Sequence, residues 1–259
     1  MSTKAEAVNR KLPSDTVLLI SDLHLDPARP DLTRAFLDFL ANDARKAGSL
    51  YILGDFFNVW IGDDDDAPLC SEICAALKQL ADNGTRVYLM HGNRDFLIGE
   101  AWAAACGATL IHEPYVLRSG DAQYLLMHGD ALCTRDSDYV AFRNMVRDPA
   151  WQRDFLARPL SERRAFADHA RTRSKTMSSN KPDDIMDVTP DEVVRVLDAH
   201  AVPTLIHGHT HRPAVHRMET GATRLVLGDW DRQGWYVRID GANATLSHFD
   251  IAESVSDSI

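Results

Sequence analysis

Three histidines separated by single residues, His207-Gly208-His209-Thr210-His211, close a short apolar run, Thr204-Leu205-Ile206. Imidazole is a good ligand for divalent transition metals, and the tip of a buried strand lets alternate side chains converge on one point. Gly208, lacking a β-carbon, would let the backbone crowd close to whatever is held there. Four other apolar runs end in residues of the same kind. Val17-Leu18-Leu19-Ile20 leads into Ser21-Asp22-Leu23-His24, whose alternating acid and imidazole leave the strand on one side. Leu50 to Leu53 leads into Gly54-Asp55, Arg86 to Met90 into His91-Gly92-Asn93-Arg94, and Tyr124 to Met127 into His128-Gly129-Asp130. Packing needs apolar residues within strands and is indifferent to their tips, so tips repeated in this way point to shared ligand duty.

Asp22, His24, Asp55, Asn93, His128, His209 and His211 offer oxygen and nitrogen donors and no thiolate. They are too many for one tetrahedral zinc and enough for two metals sharing a bridging carboxylate. Two ions about 3.5–4 Å apart form a standard clamp for displacement at phosphorus. Set against the two carboxylates, such a pair leaves positive charge over, which suits a dianion such as a diphosphate diester. Manganese fits the mixed imidazole and carboxylate set, with iron, cobalt and zinc as alternatives.

Open α/β sheets gather ligand sites beyond the carboxyl ends of their strands, so the strand tips are expected to meet in one crevice. Between the strands the spacing predicts helices over 30–46, stopped at Gly48, over 69–83 and over 191–200. Asp63 to Asp66 read as a solvated acidic loop. After the histidine strand, short strands are expected over 214–218, 223–227, 234–239 and 244–249. From about 131 to 189 the alternation stops. Helical stretches over 139–145, 150–156 and 161–171 carry Phe142, Trp151, Phe155 and Phe166, and ten Lys/Arg face four Asp/Glu between Arg143 and Lys181. That composition fits a lid for a greasy anion, or an add-on with a solvated basic face. The expectation is one domain over 1–259 with this helical insertion.

The net charge of −10 argues against nucleic acid as a partner. Cys70, Cys74, Cys106 and Cys133 lack zinc-finger or disulfide-scaffold spacing, and Cys70 and Cys74 are expected to share a buried helix face. Residues 1–11 have no signal-peptide core, and no run approaches the roughly 18 apolar residues of a membrane span. The chain reads as cytosolic, with no obligate protein partner inferred.

Asp22-x-His24, Gly54-Asp55, Gly92-Asn93, His128 and Gly208-His209-x-His211, in this order, resemble the calcineurin-like metallophosphoesterase superfamily. The resemblance implies an α/β fold, a double β-sheet sandwich flanked by helices, with a two-metal site at the strand ends. Asp22, His24, Asp55 and His211 would hold one ion; Asp55 as bridge, Asn93, His128 and His209 would hold the other. A closer resemblance covers nearly the whole chain. Ser21 to Leu25, Trp60-Ile61-Gly62-Asp63-Asp64, His91 to Leu97, Ile185-Met186-Asp187-Val188 and Ile206 to Pro213 are similar to the UDP-2,3-diacylglucosamine hydrolases of lipid A biosynthesis. That likeness implies UDP-2,3-diacylglucosamine as substrate, lipid X and UMP as products, and peripheral contact with the cytoplasmic face of the inner membrane. It implies substrate contacts from Asn93, Arg94, Asp136, Ser174, Lys181 and His209. Two departures stand out. Ser178 occupies a lid position where Asn is expected, with Asn180 nearby, and Asn58 stands where Glu is usual.

Arg94 gives an independent argument. Its guanidinium cannot surrender a proton to a poor leaving group, but its fork suits phosphate oxygens. A phosphate monoester, with a second pKa of about 6, leaves readily without protonation. The residues therefore favour cleavage of a pyrophosphate, with Asp55, Asn93, Arg94 and His128 as the catalytic group and a metal-activated water attacking the α-phosphorus. The rivals are a soluble nucleotide pyrophosphatase or dinucleoside polyphosphate hydrolase, which would have no use for an apolar lid, and a non-catalytic scaffold of the same fold.

Overall fold

The computed structural model describes residues 15–178 and 187–252. Its centre is β1 (Val17–Ile20), buried at all four positions and flanked in parallel by β2 (Ser49–Leu53). A strand buried on both faces reads as an unbroken apolar run, which is why neither shows alternation. β3 (Arg86–Met90) and β4 (Ala108–Ile111) extend the sheet in parallel. On the other side β10 (Gln233–Asp240) and β11 (Asn243–Asp250) complete it antiparallel, giving the order β11-β10-β1-β2-β3-β4. A second sheet runs β5 (Tyr115–Ser119), β6 (Ala122–Leu126), β7 (Thr204–His207), β9 (Thr223–Val226), β8 (Ala214–Arg217).

Period-two geometry divides the core into layers. Leu19, Tyr51, Leu53 and Met90 point inward to meet Leu117, Leu126, Ile206 and Leu225 of the second sheet. Leu18, Ile20, Leu50 and Ile52 point outward onto α1 (Pro30–Asn42) and α2 (Pro68–Asp82). Leu125 and Leu205 cover the far side against α7 (Pro190–His200). The architecture is a helix-flanked double sheet. It is the double sandwich that the resemblance implies: β1, β2 and β3 belong to one sheet and β6 and β7 to the other, and their tips meet at one end of the sandwich.

α1 stops at Asn42, and a separate 3-10 turn covers Ala44–Lys46, so the helix is shorter than its apolar spacing suggests. α3 (Glu100–Ala105), β4 and β5 had no assignment in the sequence reading; they are short and carry little periodicity. Cys70 is buried as expected, whereas Cys74 is half-buried, its Sγ 2.7 Å from that of Cys106.

Between the sheets' sequences stand α4 (Ser137–Val146), α5 (Pro149–Leu156) and α6 (Leu160–Ser178). Asp136 and Asp148 cap the first two with their side chains, and Pro149 opens α5 where its missing N–H costs nothing. Trp151, Phe155 and Phe166 form a small aromatic core with centroids 4.8–5.7 Å apart. The acidic loop is put to use here, contrary to its reading as merely solvated. Asp64 pairs with the buried Arg163, Asp65 and Asp66 with Arg164, and Asp63 accepts the N–H groups of Gly99 and Trp102. No helix among the described residues is long and apolar enough to cross a membrane.

Candidate metal centre

At the ends of the parallel strands the chain turns at once, and it does so in a costly conformation. Among the described non-glycine residues, positive φ occurs at Asp22 (57°), His24 (48°), Asp55 (49°), His209 (67°), His211 (54°) and Ala201 (52°). Ala201 merely ends α7. The other five are all residues singled out as metal ligands, and left-handed backbone at bulky side chains gathers where function demands it. Two glycines let these turns meet. A β-carbon on Gly208 would lie 2.1 Å from Asp22 Oδ2, and one on Gly92 would lie 2.2 Å from Asp55 Oδ1.

Two clusters result, in each of which the ligand atoms all lie within 4.8 Å of one another: Asp22, His24 and His211, and Asp55, His128 and His209. In the first, the Nε2 atoms of His24 and His211 are 3.2 Å apart, and His211 Nε2 is 3.3 Å from Asp22 Oδ1. Asp55 joins the two, with Oδ2 4.0 Å from His24 Nε2 and Oδ1 3.6 Å from His128 Nε2. Asn93 Oδ1 lies 3.0 Å from His128 Nε2, so it belongs to the second cluster. Surrounding contacts fix the side chains. The Leu53 carbonyl lies 2.9 Å from His128 Nδ1 and so orients the ring with Nε2 toward Asp55. Asp22 Oδ2 accepts the His209 N–H at 2.8 Å, and Asp55 Oδ1 accepts that of Arg94 at 2.8 Å.

Burial keeps His24 and His209 down at about 3, so both are neutral near pH 7 with a lone pair available for coordination. Asp55 is pushed up to about 7 by burial, then by Asp22 and Asp95. Burial opposes charge on His128, yet Asp55 and Asp22 push it up to about 9. Burial likewise opposes ionisation of Asp22, but the surrounding histidines hold it far below the usual carboxylate range. These opposed shifts describe buried carboxylates and imidazoles packed closely enough to set one another's charge. Asp22 Oδ1 and His24 Nδ1 are buried without a hydrogen-bond partner, and two ring nitrogens face each other beside carboxylates. A divalent cation in each cluster satisfies that donor set, so the residues fit a two-metal centre.

Arg94 sits beside the bridge, its Nε 3.8 Å from Asp55 Oδ2 and without a hydrogen-bond partner. It opens onto a cavity of about 530 Å³ roofed by α4, α5 and α6, whose lining includes Trp60, Phe96, Phe142, Trp151, Phe155 and Phe166. Asp136 also lines the cavity and accepts the Tyr139 N–H at 3.1 Å. Ser174 and Ser178 fall in the last turns of α6, where side chains are not described, and Lys181 and Asn180 lie outside the described residues. Asn58 has a structural partner: its side-chain amide donates to Asp26, pinning the turn after β2 to the turn after β1.

Sequence reading passed over several residues. Arg171 of α6 lines the cavity with a buried, unpartnered Nη1; burial and the nearby Arg94 lower its pKa to about 10. Its signal was only membership of a basic helix. Tyr139 donates its hydroxyl to Asp130 at 2.7 Å while its ring lies 5.9 Å from that of His209. Arg143 reaches both Asp130 (2.8 Å) and Glu113 (2.9 Å), and Glu113 accepts the His128 N–H at 2.9 Å. Asp229, 3.5 Å from His211 Nδ1, did have a signal: Leu225-Val226-Leu227-Gly228-Asp229 is one more apolar run ending in glycine and an acid.

The family model for calcineurin-like phosphoesterases matches residues 16–213. A Pseudomonas syringae pv. syringae protein named UDP-2,3-diacylglucosamine hydrolase is 52% identical over 244 residues, covering 93% of this chain and 98% of the relative. A Pseudomonas putida protein of the same name is 51% identical over 239 residues, covering 91% of this chain and 100% of its own. The crystal structure of a dimetal phosphatase from Danio rerio matches with a TM-score of 0.52 at 13% identity, over 93% of this chain and 98% of that one, a likeness of fold.

Proposed function

The chain belongs to the calcineurin-like phosphoesterase family, and from that premise we propose that it hydrolyses the diphosphate of UDP-2,3-diacylglucosamine to UMP and 2,3-diacylglucosamine 1-phosphate. Relatives sharing half of its sequence carry that activity in their names. The observation that carries the reading is the largely apolar cavity of about 530 Å³ lined at one end by Asn93 and Arg94, whose atoms in turn touch His128 and Asp55 of the second cluster. A soluble nucleotide pyrophosphatase has no need of such a roof, whereas acyl chains do.

Asp22, His24, Asp55 and His211 would hold one divalent ion, and Asp55, Asn93, His128 and His209 the other; manganese would suit this oxygen and nitrogen set. When bound, such a pair supplies Lewis acidity toward phosphoryl oxygens and activation of water. The protein's own groups do the rest. Arg94, whose Nε lies 3.8 Å from Asp55 Oδ2, and Arg171, which lines the cavity, present guanidinium forks to the diphosphate. Neither can donate a proton at usable pH, and none is needed, because the lipid leaves as a phosphate with a second pKa of about 6. The aromatic lining takes the acyl chains and keeps bulk water off the reacting phosphorus, and Asp136, Ser174, Ser178 and Lys181 complete the substrate contacts from the lid. Residues 1–259 act as one domain in which residues 131–189 form that lid. The substrate places the protein peripherally on the cytoplasmic face of the inner membrane.

Phosphorus NMR of the products formed in ¹⁸O-labelled water tests the reading. The label is expected in UMP. Label in the lipid phosphate would move the attack to the other phosphorus, and absence of turnover would remove the assignment.

A further inference from the structure

His211 is the most exposed of the ligand histidines, with 37% of its side chain accessible, so its own packing holds it least. Its Nε2 side is committed to the first cluster, 3.2 Å from His24 Nε2 and 3.3 Å from Asp22 Oδ1. The opposite ring nitrogen, Nδ1, faces Asp229 Oδ2 at 3.5 Å. The other two histidines for which Nδ1 partners can be compared differ. His128 Nδ1 lies 2.9 Å from the Leu53 carbonyl, and His24 Nδ1 is buried without a partner.

The loop carrying Asp229 is fixed on both sides. Leu227 donates its N–H to the His207 carbonyl at 2.8 Å, and Trp230 donates its N–H to the Asp22 carbonyl at 3.0 Å. Trp230 is 2% exposed and stands edge-on to Phe39 and Phe249, with centroids 5.6 and 5.2 Å away. Gly228 cannot bear a side chain, since a β-carbon there would meet the Trp235 ring at 2.5 Å. The backbone that positions Asp229 is therefore tied to the same two turns that position Asp22 and the histidine strand.

We propose that Asp229 is a positioning residue for the first metal: its carboxylate takes the Nδ1–H of His211, fixing the tautomer and the ring angle that present Nε2 to the ion. The inference rests on the two-metal reading above and concerns one ion of the pair. Partners of this kind set ligand orientation and basicity, and their loss weakens metal binding by about 10- to 100-fold.

Calorimetric titration of Mn²⁺ into chelator-treated protein reads the effect. Wild type is expected to bind two equivalents. Asp229→Ala keeps one at wild-type affinity and binds the other about 10- to 100-fold more weakly, while Asp229→Asn, whose amide oxygen accepts the same N–H, recovers most of that loss. Wild-type affinity for both ions in Asp229→Ala, or an Asp229→Asn as weak as the alanine variant, would overturn the proposal with the two-metal reading intact. Wild type that takes up no Mn²⁺ would remove both. Independently of any variant's folding, NMR of ¹⁵N-histidine wild type loaded with Zn²⁺ should find His211 as the Nδ1–H tautomer. The Nε2–H tautomer contradicts the assignment.

Discussion

The carboxylate of Asp95, fully buried, lies beneath Asp55 and accepts its backbone N–H at 3.3 Å. The same side chain takes the N–H of Gly92 at 2.7 Å and of Phe56 at 2.7 Å, so it binds two strand-tip turns into one unit. Asp95→Ala strands three buried donors and should cost about 3 kcal/mol or more, read by chemical denaturation. The variant should also lose metal, read by elemental analysis, because Asp55 is no longer held in its left-handed turn. Unchanged metal content would separate the two turns from the site.

Asp55→Ala should abolish turnover, since its two carboxylate oxygens face the two clusters, Oδ2 toward His24 and Oδ1 toward His128. Arg94→Ala should differ in kind, slowing turnover by about 10²-fold with metal content retained, as expected of a group that stabilises charge on the reacting phosphate. Arg171→Ala should behave like Arg94→Ala. Loss of metal from either arginine variant would show that the guanidinium supports the site instead of the substrate.

The cavity lining gives a test of substrate class. Phe142→Ala and Trp151→Ala should each raise KM for the diacylated substrate by about tenfold or more, the worth of a lost apolar contact. Hydrolysis of a small aryl phosphodiester, which never enters the roofed space, should be unaffected. Equal damage to both reactions would mean that these rings hold the lid together and nothing more.

Acid stability can be traced at Asp31. Its bond to Arg29, at 2.7 Å, holds the carboxyl below the usual carboxylate range. A lowered carboxyl contributes stability that is present above its unfolded pKa of about 4 and is lost as pH falls through the folded value. Arg29 is partly exposed, so Asp31→Asn should cost less than about 1 kcal/mol at pH 7. The gap to wild type should close in strong acid, as measured by urea titrations at several pH values.

The strand tips were legible because a ligand next to glycine at the end of an apolar run is a local pattern, and the chemistry needs it to be local. Asp22, His24, Asp55, Asn93, His128, His209 and His211 could all be read this way. Asp229 is equally local, following Gly228 at the end of an apolar run as Asp55 follows Gly54, and belongs to the same legible pattern. Arg171, Tyr139, Arg143 and Glu113 act through contacts made across the fold, and nothing in their immediate sequence separates them from ordinary surface or cap residues. The split into two sheets was legible only through the resemblance: buried strands look alike whichever sheet they join, and pairing alone distinguishes β3 from β6. The acidic run at Asp63 to Asp66 misled for the converse reason, since its neutralising arginines lie about a hundred residues away.

Five tight left-handed turns at residues with full side chains have a thermodynamic meaning for the whole molecule. Each costs of order 1–3 kcal/mol, a burden that the aromatic and aliphatic layers beneath must carry. At the half-exposed His24 and His211, glycine would relieve that burden while destroying coordination. A crippled chain of this kind should then melt no lower than the intact one, leaving a scaffold sturdier than the catalyst built upon it.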